Sequence, residues 1–489
     1  MTVGFSDMAV TRTSDPARAR PFVLSAAGDR RRRFVRAGFD SAQTNDANRR
    51  HWAQADGYSP DAALSPEVRR ILRNRARYEV ANNSYARGIV STLANDTVGT
   101  GPRLQMLSAS ADFNRMVETE FHSWAQAVGL PEKLRTMRMA RTQDGEAFAI
   151  LGQNGVVDHP VQLDLLLLEA DQVTGPFGAA TDSRDVDGVI LDRAGNPTSY
   201  RVLWEHPGGA GSLARYADFA YVPAASMIHA FRQDRPGQHR GLPEITAALP
   251  LFAQLRRFTL AVLAAAESAA DFAGILYTDA PANGEATDLE PLDPVELRRN
   301  MLLTMPGGWR MAQLEPAQPA TTYGEFKQQI LNEIARCLNM PFNVAAGNSS
   351  GYNYASGRLD HQVYFKAIRI DQSFQARRIL DRVLSAWLPE FMLATGNLLP
   401  GAFDRVPKHQ WFWDGNDHVD PLKEANAQAV RLANHTTTLA HEYARQGKDW
   451  EVEIRQRARE IALLRELGLT AAQAQPTPQK ETPPSEEEE

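Results

Sequence analysis

The residues best suited to covalent chemistry in this chain are Gly347-Asn348-Ser349-Ser350-Gly351, which match the pattern Gly-x-Ser-x-Gly. In a hydrolase such a serine sits on a strained strand-to-helix turn, and an Asp and a His follow later in the chain. Asp404 or Asp414, with His435 or His441, would be the partners to nominate. The surroundings speak against that chemistry. The segment before the serine reads as a helix ended by Pro341, and no series of alternating strands and helices is present to build a parallel sheet.

Other chemistries fail on spacing. A phosphate-binding loop needs glycines that let backbone amides wrap the phosphate, then Lys and Ser/Thr. The Gly447-Lys448 pair is followed by Asp449, with no glycine five residues earlier, and no dinucleotide-binding glycine fingerprint occurs. His435 and His441 lie six apart, the wrong spacing for two zinc ligands on one helix face. Trp413 to Asp420 collects oxygen ligands but lacks the alternate-position spacing and sixth-position glycine of a calcium loop, so it reads as a turn with capping acids. The single cysteine, Cys337, excludes an internal disulfide and a Cys-based zinc site, and fits a reducing compartment. No catalytic residue, metal or cofactor is expected.

The elements that would carry these residues follow from pattern. The chain has 489 residues with 43% hydrophobic and 23% charged, ordinary globular usage that excludes wholesale disorder. Its net charge of -6 excludes an overall basic nucleic-acid binder. Residues 1–50 hold ten Arg, no Lys and five Asp, and read as a basic mobile arm. Residues 473–489 end in four Glu and read as a disordered acidic tail. One long helix is expected over 66–98, capped by Ser65, and another over 111–128 through Phe113, Val117, Phe121 and Trp124. Short strands are expected at 147–151, 163–168, 189–191, 200–204 and 227–231. A two-striped helix over 242–270 follows, with Leu251, Leu255, Phe258 and Val262 as one stripe. Apolar residues on more than one face point to packing on two neighbours. A proline-broken excursion with short strands at 274–277 and 309–314 leads to a helix over 325–339, then the Gly/Ser loop, then a long helix over 354–388. Residues 422–467 are mostly helical. No membrane span is expected, because Glu267 and Asp271 interrupt the best candidate, 260–277, and no secretory signal is visible.

Several segments, taken in order, resemble the lambda-type family of tailed-phage portal proteins. They are Asn48-Arg49-Arg50-His51-Trp52, Ala63-Leu64-Ser65-Pro66, Arg73 through Tyr85-Ala86-Arg87-Gly88, and Asn95-Asp96-Thr97-Val98-Gly99-Thr100-Gly101. Next come His229-Ala230-Phe231-Arg232, Pro236 to Pro243, and Tyr352-Asn353-Tyr354-Ala355-Ser356. The last are Asn434 to Ala440, Gly447-Lys448-Asp449-Trp450 and Gln456-Arg457-Ala458-Arg459-Glu460, so the resemblance covers roughly residues 45–470.

That resemblance implies an α+β, mainly helical subunit with an α/β wing, a helical stem, a small β-containing clip and a helical crown, assembled as a ring of usually twelve copies. The expected parts are a basic arm at 1–60, wing at 61–240, stem helix at 241–270, clip at 271–322 and second stem helix at 323–340. A tunnel loop at 341–353 follows, then a long helix with remaining wing at 354–420, crown at 421–470 and acidic tail at 471–489. The ring would sit at the portal vertex of the virion capsid, assembled in the host cytoplasm. Double-stranded DNA would pass through it during packaging and ejection. Its partners would be the terminase large subunit, the major capsid or scaffolding protein and head–tail connector proteins. Asn348, Ser349, Ser350, Tyr352 and Asn353 are expected to face the DNA, and Leu251, Leu255, Phe258 and Val262 to meet a neighbouring subunit. A mildly acidic chain with an uncharged loop suits a conduit that must not grip its cargo, since a duplex carries one phosphate per roughly 1.7 Å. Two other readings remain beside this one: a different capsid or head-completion protein, and a serine hydrolase.

Overall fold

The computed structural model describes residues 46, 49–175, 184–209, 218–271, 275–278, 309–312, 323–396, 406–415 and 421–469. Most of the basic arm and the whole acidic tail lie outside them. The chain divides into two units, Met1–Tyr58 and Ser59–Glu489. In the first, the His51 and Trp52 rings meet edge to face at 5.7 Å and Asp56 accepts from the Tyr58 amide. The second carries the helices and strands.

A short α1 (Pro60–Ala63) is capped by Ser59, and α2 (Pro66–Asn82) by Ser65 with Pro66 at its first position. The single helix expected through to Val98 is broken at Asn83. That residue is extended, at φ −124°, and its side chain caps α3 (Ser84–Val98). Its amide also donates to Phe252 O at 3.4 Å, so the break serves a tertiary contact. After β1 (Arg103–Met106) come α4 (Ala111–Ala127), close to its expected bounds, and α5 (Leu130–Asp144), which the apolar spacing did not reveal. The reason is chemical: the apolar stripe Leu130, Leu134 and Met137 covers only the first half of α5, and the second half buries Arg138, Arg141 and Thr142 instead, so the pattern breaks off mid-helix.

The strands are β2 (Glu146–Gln153), β3 (Leu163–Leu168), β4 (Asp185–Val186), β5 (Val189–Leu191), β6 (Pro197–Leu203), β7 (Phe219–Pro223) and β8 (Met227–Phe231). They form two antiparallel sheets, ordered β3-β2-β8 and β4-β5-β6-β7. Helix α6 begins only at Leu249 and runs to Asp271, after a 3-10 turn at Thr246–Ala248. Residues 242–245 are not helical; Glu244 instead reaches back to α5. Strands β9 (Ile275–Thr278) and β10 (Trp309–Ala312) pair antiparallel, and the rest of the proline-broken excursion lies outside the described residues.

The second half holds α7 (Tyr323–Cys337), α8 (Phe342–Ala346) and α9 (Tyr354–Gln375). A π-helical turn, Ala376–Leu380, joins α9 to α10 (Asp381–Ala394). Strand β11 (His409–Phe412) returns to pair with β1. The helices α11 (Pro421–Ala433), α12 (Leu439–Arg445) and α13 (Trp450–Glu466) complete a mixed α+β, mainly helical subunit.

Three apolar cores hold these pieces. One gathers Phe121, Trp124, Trp387 and Phe391 where α4 and α10 meet the β2 sheet, with Trp124 Nε1 donating to Leu163 O at 2.9 Å. A second packs α2, α3, α6, α7, α8 and α9 around Phe252, Leu255, Ile334 and Tyr364. The third lies between the two larger sheets, around Phe148, Tyr200 and Val202.

Gly145 closes α5 at φ +91°, and a Cβ there would overlap the Leu242 backbone and sit 2.6 Å from Pro243 N. The strand leaving Gly145 and the segment leading into α6 therefore touch backbone to backbone. Gly145→Ala should cost on the order of 2–4 kcal/mol through strain and forced separation. Urea unfolding of the subunit reads this out; a loss below about 1 kcal/mol would mean the two backbones part freely.

Candidate channel loop and stem

Helix α8 ends at Gly347, which takes φ +63°, a conformation that costs glycine little. Asn348, Ser349, Ser350, Gly351 and Asn353 are exposed and Tyr352 is half-buried. The loop is held by its own bonds. The Asn348 amide donates to Asn343 O at 3.0 Å, the Ser350 amide to Asn348 Oδ1 at 2.9 Å, and the Tyr352 amide to Ser349 O at 3.1 Å. Asn348, Ser349, Ser350, Tyr352 and Asn353 thus share one uncharged loop between α8 and α9.

No nucleophile elbow forms there. A helix, not a strand, precedes Ser349, and its hydroxyl meets Asn343 Nδ2 at a long 3.5 Å. That same amide contacts His361 Nε2 at 3.0 Å, so the amide stands between the histidine and the serine. Asp414 is taken by the Thr100 amide and hydroxyl, and His435 sits at the turn after α11, at φ +55°. His441 lies on α12, and Asp404 falls outside the described residues.

The α6 residues divide by face. Leu255 is 2% exposed in the subunit's own core, and Leu251 packs against that core. Phe258 faces α7, with its ring 5.7 Å from Tyr323 and 4.5 Å from Phe326. Val262 is half-buried. The stripe named for the neighbouring subunit therefore packs largely within the subunit, and Leu255 is not available to a neighbour. Leu260 and Leu263 are the α6 leucines left open, at 60% and 54% exposure. The window Thr246–Glu267, passed over by the hydropathy reading, is long and apolar enough to cross a membrane by length and composition alone, with 22% of it buried.

Two buried ion clusters seat the segment leading into α6 and the helix α9 after the loop. In the first, Glu146, wholly buried at the start of β2, accepts from Arg240 at 2.6 and 2.9 Å, from His229 Nε2 at 3.1 Å and from the Gly241 amide at 3.0 Å. Arg73 lies 3.4 Å away, and Arg69 joins Glu146 to Asp187. Burial alone would raise the Glu146 carboxyl, but Arg240 and the His229 bond hold it well below the usual range. In the second, Glu244 bonds Arg138 and Arg141, both at 3.0 Å, and Arg141 reaches Asp371 of α9 at 2.7 Å. Burial would raise Glu244 as well; the two guanidinium groups bring it down to about 2. Tyr364 of α9 donates to Asp96 Oδ2 at 2.7 Å, and Gln372 to Thr97 O at 3.2 Å. The segments around 95–101, 229–232 and 236–243 thus act as anchors. Sequence reading missed this role because each partner lies far away in the chain.

Glu169, Asp171 and His206 have the composition of a small metal cluster. The Gly208 amide donates to His206 Nδ1 at 3.0 Å, which puts the imidazole proton on Nε2, facing Glu169 at 3.1 Å. Arg77 binds both carboxylates. The group therefore works as an ion-pair cluster.

The family described as "Phage portal protein, lambda family" matches residues 46–372, two thirds of the chain. The chain belongs to this family of phage portal proteins. It is a ring-forming protein of the phage capsid vertex that serves DNA packaging and ejection, and its role in the virion is structural rather than catalytic. The probable portal protein of Halomonas phage phiHAP-1 is 24% identical over 425 residues, 81% of each chain. A chain from the neck of a native gene transfer agent particle, computed with C12 symmetry, shares 15% identity at a TM-score of 0.45, over 78% of this portal chain and 94% of its own. An HK97-family portal protein from Corynebacterium diphtheriae shares 12% identity at a TM-score of 0.27, over 58% and 81%.

Proposed function

We propose that twelve copies close into a ring whose central path carries double-stranded DNA past residues 347–353. The observation that carries this reading is the loop itself. Four polar, uncharged side chains are exposed at one turn, backed by a short helix seated in the second core. Amide and hydroxyl groups exchange hydrogen bonds with phosphates and with water at similar cost, so they touch a moving duplex without holding it. In this reading α6 and α7 form the stem, β9 and β10 belong to the clip, residues 61–240 and 354–420 form the wing, and α11 to α13 build the crown. The terminase large subunit and the head–tail connector proteins would take turns at the clip. The major capsid or scaffolding protein would hold the wing, with assembly in the host cytoplasm. Neighbouring subunits would cover Leu260 and Leu263, which accounts for an apolar helix left largely bare in one subunit.

Replacing Asn348, Ser349 and Ser350 together with Arg tests the loop. Rings should form normally while packaging in a reconstituted terminase system stalls, more severely at low salt, because added cations bind the duplex more tightly there. Ser349→Ala alone should package at close to the normal rate. Normal packaging by the triple variant would place the loop off the DNA path.

A further inference from the structure

Helix α9 leaves the loop at Tyr354 and carries an outward face unlike the rest of this acidic chain. At 3.6 residues per turn, Arg358, Gln362, Lys366, Arg369, Ser373 and Arg377 fall on one side, and all six are exposed. The buried arginines Arg69, Arg73, Arg138 and Arg240 are tied to carboxylates. Among the described residues none of these four cations makes an ion pair; Arg369 and Arg377 bond only carbonyls of their own helix, Phe365 O and Ser373 O, at 3.3 Å. The helix's half-buried acid, Asp371, is already held by Arg138 and Arg141. Beside the basic stripe runs an apolar one, Leu359, Val363 and Ile370, at 65%, 60% and 63% exposure. The opposite side, with Tyr364 and Ile368, is buried in the second core.

We propose that the basic stripe of α9 binds the phosphate backbone of double-stranded DNA, with Arg358, Lys366, Arg369 and Arg377 touching the phosphates. The inference rests on the channel reading of the loop, which places the start of this helix beside the DNA path. The spacing favours a duplex over an acidic protein. At 1.5 Å per residue the cations stand roughly 5–12 Å apart along the axis, separated by uncharged Gln362 and Ser373. A folded partner would have to match each of those gaps. A duplex offers a phosphate about every 1.7 Å and matches any of them. The stripe also runs into the π-helical turn, where Arg378 lines a cavity of about 270 Å³ with Arg232 and Phe374. Such turns recur at functional positions. Cations behind an uncharged constriction divide the work: the stripe draws the duplex toward the axis, and the loop lets it slide.

The test uses assembled rings and a short fluorescently labelled duplex, with anisotropy followed over a range of salt. The variant carries R358Q, K366Q, R369Q and R377Q together. Because all four side chains are exposed, folding should be unchanged. Affinity should fall tenfold or more at about 0.1 M salt, and the slope of log affinity against log salt should become shallower by about 0.9 for each phosphate that is no longer neutralised. Unchanged affinity and slope overturn the proposal. Rings lost with DNA binding retained by the subunits also overturn it, and assign the stripe to contact with a second copy. If both are lost, the variant R358K, R369K and R377K decides. Lysine keeps the charge that attracts phosphate as a point charge but gives up the bidentate fork that carboxylates and phosphates both accept. Duplex affinity within about threefold of wild type supports the proposal, and affinity as low as that of the Gln variant overturns it. The triple-Arg loop variant is read separately. Normal packaging by that variant alongside lost duplex binding here would discard the channel reading of the loop while leaving the stripe as a DNA-binding face.

Discussion

Glu146→Gln should destabilise the subunit by about 3–5 kcal/mol, the cost of leaving buried charge uncompensated. The side chain is 0% exposed, and it is the carboxylate shared by Arg240, Arg73, Arg69 and the His229 ring. Glutamine keeps the shape but supplies no charge and one acceptor oxygen where two were used. Arg240, itself 1% exposed, keeps Asp187 as its one remaining ion-pair partner among the described residues, beside backbone carbonyls. Denaturant unfolding of the subunit measures the effect, and a loss under about 1 kcal/mol would show that Asp187 and Asp171 suffice to hold the arginines. The same physics sets the acid limit. Glu146 and Glu244 both have folded values below their ordinary ones. Their stabilisation is complete above the unfolded carboxylate range and is lost as pH falls through the folded values, because the unfolded chain takes up the protons first. For Glu244 that window runs from its ordinary 4.5 down to about 2. Glu146→Gln should therefore flatten the acid-unfolding curve as well as lower it.

Leu260→Asp with Leu263→Asp should abolish rings while leaving the subunit folded. Both side chains are more than half exposed in the subunit, so a carboxylate there is hydrated and costs the fold little. At a subunit contact the same carboxylates would be dehydrated without a partner, at several kcal/mol per site, and every contact around a ring would carry the penalty. Mass photometry should find monomers and small species in place of one large ring. Leu255→Asp is the contrasting substitution. It places a charge at a position 2% exposed inside the second core, so it should unfold the subunit itself. Intact rings from the Leu260/Leu263 variant would mean that another face of the subunit joins the neighbours.

What the sequence determined by itself is the set of elements whose amphipathic pattern points at a core. Strands β3, β5 and β8 and helices α4 and α7 stand within about two residues of where their periodicity puts them, the usual uncertainty of an element boundary. The loop at 347–353 is legible because Gly, Asn and Ser leave little else possible there. The order of motifs along the chain identifies the portal family. What only the tertiary structure decided is which face meets which neighbour. Apolar burial is non-directional, so a stripe says that it will be covered and not by what. Leu251, Leu255 and Phe258 turned to the subunit's own α7 and core, while the equally apolar Leu359, Val363 and Ile370 face outward. Helix α5 was illegible for the complementary reason. A buried arginine looks like a surface residue until its carboxylate arrives from far along the chain, as Glu244 does for Arg138, 106 residues away. Such charges can be buried only when paired, and the pairing exists only in three dimensions.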